Sequence, residues 1–188
     1  AHNVLKGLFL DIEEGSFVGL IAPNGCGKTT LVIYITGSLR PLEGTIHVGG
    51  KALKDWKERE FAREMAVVPQ DASPAFDFTV SEVVSMGRYP HMGRFSLHDP
   101  GGRKAIEKAI EETALSPYRN KRLSQLSGGE RQRVYIARAF AQGSRILVMD
   151  EPNKNLDIKH SLDLMELVKK RNREQGTTVL CILHDIDL

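Results

Sequence analysis

The chain has 188 residues, 41% hydrophobic and 27% charged, with a net charge of +2. Its length suits one compact domain with a sizeable core and its composition excludes a disordered segment, while the near-neutral charge without a basic block argues against a general nucleic-acid binder. Two cysteines, Cys26 and Cys181, are too few for a disulfide framework, so a reducing, cytosolic setting is expected.

The first predicted element is a strand at 17–21, an apolar run that ends in a loop rich in Pro and Gly. A helix is predicted over 28–37, closed by Gly37 and Pro41. Short strands follow at 45–48, between Gly44 and Gly49-Gly50, and at 66–68, ending at Pro69-Gln70. The composition then turns helical from 79 to 126. Thr79 and Glu82 have capping-box spacing. Asp99-Pro100 reads as an N-cap followed by proline at the first helical position. Beyond it Ile106, Ala109, Ile110 and Thr113 recur at helical spacing.

The last third alternates helix and strand. Ser127 is expected to open a helix with Val134, Ala137 and Ala141 on one face. Positions 146–149 form a buried strand. Asp157 caps a helix carrying Leu162, Met165 and Val168, and 178–183 is an all-apolar strand rich in β-branched residues. Continuous apolar strands between helices imply a parallel sheet covered on both faces. The longest apolar stretches, 17–23 and 179–183, fall far short of the ~20 residues that span a bilayer, and no leader pattern is expected. A partner would therefore supply any spanning part. Both ends are expected to be cut, since the chain opens on Ala1 and stops just after a strand.

Ala22-Pro23-Asn24-Gly25-Cys26-Gly27-Lys28-Thr29 has P-loop spacing, in the strand-to-helix context that this motif needs. Small residues let backbone N–H groups wrap phosphate, and the helix start adds partial positive charge. Lys28 would reach the β- and γ-phosphates, and the Thr29 hydroxyl would meet Mg²⁺. Asn24, Gly25, Cys26, Gly27, Lys28, Thr29 and Thr30 are the candidate nucleotide contacts. Ala22 stands where the motif has Gly. Because it precedes Pro23 it is expected to be extended, where a methyl group is tolerated.

Further motifs occur in order. Leu126-Ser127-Gly128-Gly129-Glu130-Arg131-Gln132-Arg133 resembles the signature sequence of the ABC transporter ATPases, and 146–152 resembles their Walker B strand with its following glutamate. Asn155-Leu156-Asp157 is similar to their D-loop, His184 to their switch histidine and Gln70 to their Q-loop. The resemblance implies a P-loop NTPase fold of ABC type, α/β, with a mostly parallel sheet core flanked by helices, a small antiparallel β part and an inserted helical subdomain. It divides a single domain over 1–188 into a nucleotide-binding core (1–70 and 127–188) and a helical subdomain (71–126).

The same resemblance implies ATP and Mg²⁺ as cofactors and ATP hydrolysis as the activity. Asp150 would hold Mg²⁺ through water, with Thr29 and Gln70 beside it. Glu151 would act as general base, while Gln70 and His184 would orient the attacking water. Ser127, Gly128 and Gly129 would form an anion site over ATP bound to the other subunit, in a head-to-tail homodimer. Asp157 remains open between a simple cap and a D-loop contact. Asn153 departs from the Thr or Ser usual in the family, and the adenine-stacking aromatic would lie upstream, Phe9 being misplaced for that role.

Met86-Gly87-Arg88-Tyr89-Pro90-His91 resembles a stretch of the ATPases that drive iron-siderophore, haem and cobalamin import. In that branch the region faces the groove for a permease coupling helix; otherwise it is a helix end, with Gly87 as cap and Pro90 as stop. The implied partners are membrane permease subunits and, indirectly, a periplasmic or extracellular substrate-binding protein, with no nucleic acid. The implied location is cytoplasmic, on the inner face of the membrane. A soluble ABC-type ATPase acting on DNA or ribosomes, and a non-hydrolysing nucleotide-binding module, are the alternatives.

Overall fold

The computed structural model describes residues 5–23, 25–70, 76–93, 99–154 and 156–183. Its centre is a parallel sheet of four strands, β1 (Phe17–Ile21), β4 (Met65–Val68), β5 (Ile146–Asp150) and β6 (Thr178–Leu183), in the order β1-β6-β5-β4. Pairing runs from Phe17↔Val179 to Ile21↔Leu183, from Ile146↔Thr178 to Asp150↔Ile182 and from Met65↔Ile146 to Val68↔Met149. A separate two-stranded antiparallel hairpin joins β2 (His47–Val48) to β3 (Lys51–Ala52).

Side chains on successive strand positions point to opposite faces, and both faces of this sheet are covered. Ala66, Val68, Leu147, Met149, Val179 and Cys181 pack on one side with the buried residues of α3 (Val80–Met86), α4 (Gly102–Glu112), α5 (Gly128–Gln142) and α6 (Ile158–Gln175). Met65, Val148, Leu180 and Ile182 pack on the other with Val32 of α1 (Lys28–Ile35). Two-sided burial is why the strand sequences are unbroken apolar runs rather than alternating ones. Among the described residues no helix is long and apolar enough to cross a membrane.

Most element starts follow their sequence signals. Thr79 caps α3 through a capping box: its side chain accepts from the Glu82 N–H at 3.3 Å, and the Glu82 carboxylate accepts from the Thr79 N–H at 2.7 Å. Ser127 and Glu130 repeat this at α5, and Asp157 accepts from the His160 N–H at 2.8 Å to open α6. Ile106, Ala109 and Ile110 do line the inner side of α4, and Thr113 is buried at its C-terminal cap.

Other expectations need correction. The α4 cap is Gly101, at φ 87°, not Asp99, whose carboxylate instead accepts two hydrogen bonds from Arg88 at 2.7 and 3.1 Å. Leu162 is 61% exposed; the buried stripe of α6 is Leu164, Val168 and Arg171. The first helix ends at Ile35, with Thr36 as its cap and Gly37 left-handed beyond it. The 45–48 run narrows to the two residues of β2. Strand β3 and helix α2 (Glu58–Glu64) carry no signal that the sequence reading used. The segment from 79 to 126 is not continuous helix: short 3₁₀ turns at Tyr89–His91, Ser116–Tyr118 and Leu123–Gln125 interrupt it.

Gly87 closes α3 in an ordinary helical conformation, φ −57°, which any residue could adopt. Its need is steric. A Cβ there would fall on the carbonyl oxygen of Arg138 in α5, with the carbonyl carbon 3.1 Å and the Gln142 amide nitrogen 3.2 Å away. Gly87→Ala should therefore push α3 off α5 and cost roughly 1–3 kcal/mol, the usual range for overpacking. Urea unfolding of the two proteins measures it, and equal midpoints would show that the helices separate freely.

Candidate active site

Parallel strands end on one edge of a sheet, and loops from that edge converge. Here the carboxyl ends of β1, β4 and β5 lead directly into Ala22-Pro23, Pro69-Gln70 and Glu151. Between β1 and α1, Gly25 (φ 78°) and Gly27 (φ 102°) both take left-handed conformations that favour glycine, which turns the chain back into the helix. The first hydrogen bond of α1 runs from the Leu31 N–H to the Gly27 carbonyl at 2.9 Å. The N–H groups of Lys28, Thr29 and Thr30 thus belong to the first turn, whose donors have no partner within a helix. Ala22 does not take a positive φ.

Lys28 is 8% exposed. Its ammonium donates to the carbonyl of Ala22 and, at 3.4 Å, to that of Pro23, and it stands 4.0 Å from a Glu151 carboxylate oxygen. Gln70 donates its side-chain N–H to the other oxygen of the same carboxylate. Asp150 and Glu151 are each 7% exposed. Burial, then the neighbouring Glu151, raises the Asp150 carboxyl above the usual carboxylate range, against opposing pulls from Lys28 and Lys154. Glu151 is one of two non-glycine residues with positive φ among the described residues, at 47°, and its N–H donates to the Ile182 carbonyl at 2.9 Å.

Ser127 and Gly128 are exposed at the start of α5. The Ser127 hydroxyl accepts from the Glu130 N–H, and the Ser127 N–H in turn holds the Glu130 carboxyl below its ordinary range. A Cβ on Gly129 would lie 3.0 Å from the His160 ring, so the first turns of α5 and α6 abut. The His160 ring nitrogen Nδ1 is bonded to Asp157 at 2.7 Å, a contact that motif reading missed because a lone exposed His carries no signal of its own.

The structure thus brings Lys28, Gln70, Asp150 and Glu151 together and sets Thr29 one residue into the same helix. Ser127, Gly128 and Gly129 belong to another cluster, with Glu130 and His160. Asn24, Asn155 and His184 lie outside the described residues. The convergence of Gln70 and Lys28 on Glu151 could not be read from spacing, since 81 residues separate Gln70 from Glu151.

A glycine-turned loop opening a helix after β1, with carboxylates at the end of β5 and one strand between them, defines a P-loop α/β nucleotide-binding protein. The family model for ABC transporters matches residues 5–154, and the chain belongs to that family. The iron(3+)-hydroxamate import ATP-binding protein FhuC of Bacillus subtilis is 38% identical over 184 residues, covering 98% of this chain and 68% of FhuC. The ferric enterobactin transport ATP-binding protein FepC of Escherichia coli is 37% identical over 186 residues, covering 99% and 69%. YvrA of Bacillus subtilis, an uncharacterized ABC transporter ATP-binding protein, is 42% identical over 186 residues, yet the chain spans only 42% of its length. Among solved structures, CbiO1 of Clostridium perfringens superposes with a TM-score of 0.85 at 29% identity, over 98% of this chain and 73% of that one. The dimeric ATP-binding cassette MJ0796, in a post-hydrolysis state with ADP and Pi, gives 0.79 at 32% identity, over 98% and 81%.

The two cysteines sit in opposite settings. Cys26 is exposed in the glycine-turned loop; Cys181 is buried in β6, and burial pushes its thiol up to about 12. Since the thiolate is the nucleophile, maleimide should label Cys26 well before Cys181. MgATP should slow the Cys26 reaction, and the adduct should inhibit ATP turnover. Peptide mapping by mass spectrometry reads all of this; Cys26 labelling indifferent to nucleotide, with full activity kept, is the contrary result.

Proposed function

We propose that this chain is the ATP-binding and ATP-hydrolysing part of an importer that takes up an iron(III) chelate or a related cargo such as haem or cobalamin. The observation that carries the reading is the meeting of three loops on one carboxylate, with Lys28 4.0 Å from Glu151 and Gln70 bonded to it. The relatives FhuC and FepC, both named for iron-chelate transport, support the cargo class.

Residues 1–70 and 127–188 serve as the nucleotide-binding core and 71–126 as a helical subdomain. Gly25, Cys26, Gly27, Lys28, Thr29 and Thr30, with Asn24, wrap the phosphates. Backbone N–H groups and the helix start supply donors, and Lys28 exchanges its bonds to the Ala22 and Pro23 carbonyls for phosphate oxygens. The donor set fits Mg²⁺, a hard cation that prefers oxygen: the Thr29 hydroxyl, the Gln70 amide oxygen and the Asp150 carboxylate, whose buried charge a cation would stabilise. When bound, the ion would neutralise charge on the β- and γ-phosphates.

Glu151 accepts a proton from water as the water oxygen bonds to the γ-phosphorus and the bond to the β–γ bridging oxygen breaks. Gln70, already on the Glu151 carboxylate, turns that carboxylate and the water toward each other. His184, next after Leu183 in the sequence, is assigned a hydrogen bond to the γ-phosphate. In a head-to-tail homodimer, the α5 start at Ser127, Gly128 and Gly129 of one copy covers the ATP held by the other. The MJ0796 cassette, dimeric in its solved structure, supports pairing of two copies. Membrane permease subunits hold the pair at the cytoplasmic face, and a periplasmic or extracellular binding protein delivers the cargo.

Glu151→Gln in the full-length protein should still bind ATP but hydrolyse it about 100-fold more slowly, within the range of general-base catalysis. Phosphate release under saturating ATP measures it, and near-normal turnover would remove Glu151 from the role. Lys28→Ala should instead weaken ATP binding itself; an unchanged dissociation constant by calorimetry would mean that phosphate is held elsewhere.

A further inference from the structure

The Arg88–His91 stretch does more than end a helix. Arg88 is 8% exposed, and its guanidinium is spent on three targets: Asp99, held bidentately at 2.7 and 3.1 Å, the Ala141 carbonyl at 2.8 Å and, more weakly, the Gln142 carbonyl at 3.4 Å. Three residues on, His91 Nε2 lies 2.7 Å from the Gln142 carbonyl, so that nitrogen carries the proton. Ala141 and Gln142 are the last residues of α5, whose terminal carbonyls have no partner within the helix. The 88–91 turn supplies those partners, and the cation at this end also suits the helix dipole.

The chain of contacts continues. The Gln142 side-chain amide donates to the carbonyl of Ala62 and, at 2.9 Å, to that of Met65, the first residue of β4. Arg63 closes the ring by donating to the Pro90 carbonyl at 2.9 Å. Strand β4 then runs from Met65 to Val68, and two residues later Gln70 holds Glu151. The path from the Tyr89-Pro90 turn to the Glu151 carboxylate thus runs through hydrogen bonds, strand β4 and the two residues Pro69-Gln70 that follow it. The outer end of this path is open, since Tyr89 is 57% exposed.

We propose that His91 and Gln142 are positioning residues for ATP hydrolysis: they tie the turn at 88–91 to the start of β4 and so set where Gln70 meets Glu151. This rests on the ATPase reading above. It differs from a merely stabilising role, which would weaken the fold without acting through Gln70.

The test is a double-mutant cycle in the full-length protein. Gln142→Met keeps the side-chain volume and removes the donor. It should lower kcat about tenfold, a modest misplacement effect, with KM and the ATP dissociation constant changed by less than about twofold. In a Gln70→Ala background the same substitution should cause no further loss. His91→Ala should behave likewise, whereas His91→Gln, which places an N–H near the Nε2 position, should restore the rate. If Gln142→Met does not fold, the two His91 variants and their Gln70→Ala combinations carry the test. A wild-type kcat for Gln142→Met, or a loss that multiplies in full with Gln70→Ala, overturns the proposal. Failure of the ATPase reading looks different: turnover would then survive Glu151→Gln.

Discussion

The chemistry of this chain depends on the in-register parallel pairing of β5 with β4 on one side and β6 on the other. Val68 pairs with Met149 and Asp150 with Ile182, so all three strands stop at nearly the same height. A parallel sheet is buried on both faces, and a slip by one residue would carry every side chain of a strand to the opposite face, into a core shaped for different residues. The apolar sequences of the strands therefore fix, through packing alone, where Gln70, Asp150 and Glu151 emerge. Sheet order adds the rest: with β6 between β1 and β5, the loop after β1 lies across one strand's width from the two acids, within reach of a lysine side chain.

Bringing Lys28, Asp150 and Glu151 out of water is costly unless their charges are matched. The ammonium is surrounded by two carbonyls and a carboxylate, and Glu151 has both Gln70 and Lys28. One charge is left less well served, and Asp150 shows it by its raised proton affinity. Backbone strain accompanies this. Glu151 holds a left-handed φ of 47° that a non-glycine residue takes at a cost, kept in place by its N–H on the Ile182 carbonyl. Stability is given up where these buried charges stand, and the core beneath supplies it.

Local signals were legible where they act locally. The strand at 17–21 and the strand at 178–183 coincide with β1 and β6, and the capping residues Thr79, Ser127 and Asp157 start the helices expected of them. Asp99 misled because its carboxylate had a stronger use: a bidentate bond to a buried guanidinium outweighs a cap. Gly87 looked like a conformational stop but is there to let two helices touch, a demand set by tertiary packing. In the site, motif order pointed to the acids, the lysine and Gln70. It could not show that Gln70 rests on Glu151, nor that Gln142 reaches Met65, because contacts across 77 residues or more leave no trace in spacing.

Helix α5 is fastened at both ends to different neighbours. Its first turn carries Ser127 and leans on the His160 ring of α6; its last carbonyls are gripped by Arg88 and His91. Between these points lie 15 residues, a rod about 22 Å long. A lateral play of about 1 Å at one end of such a rod tilts it by only about 3°. Whatever meets the exposed start of α5 is therefore presented with a donor array whose aim is machined to a few degrees by bonds made at the opposite end of the helix.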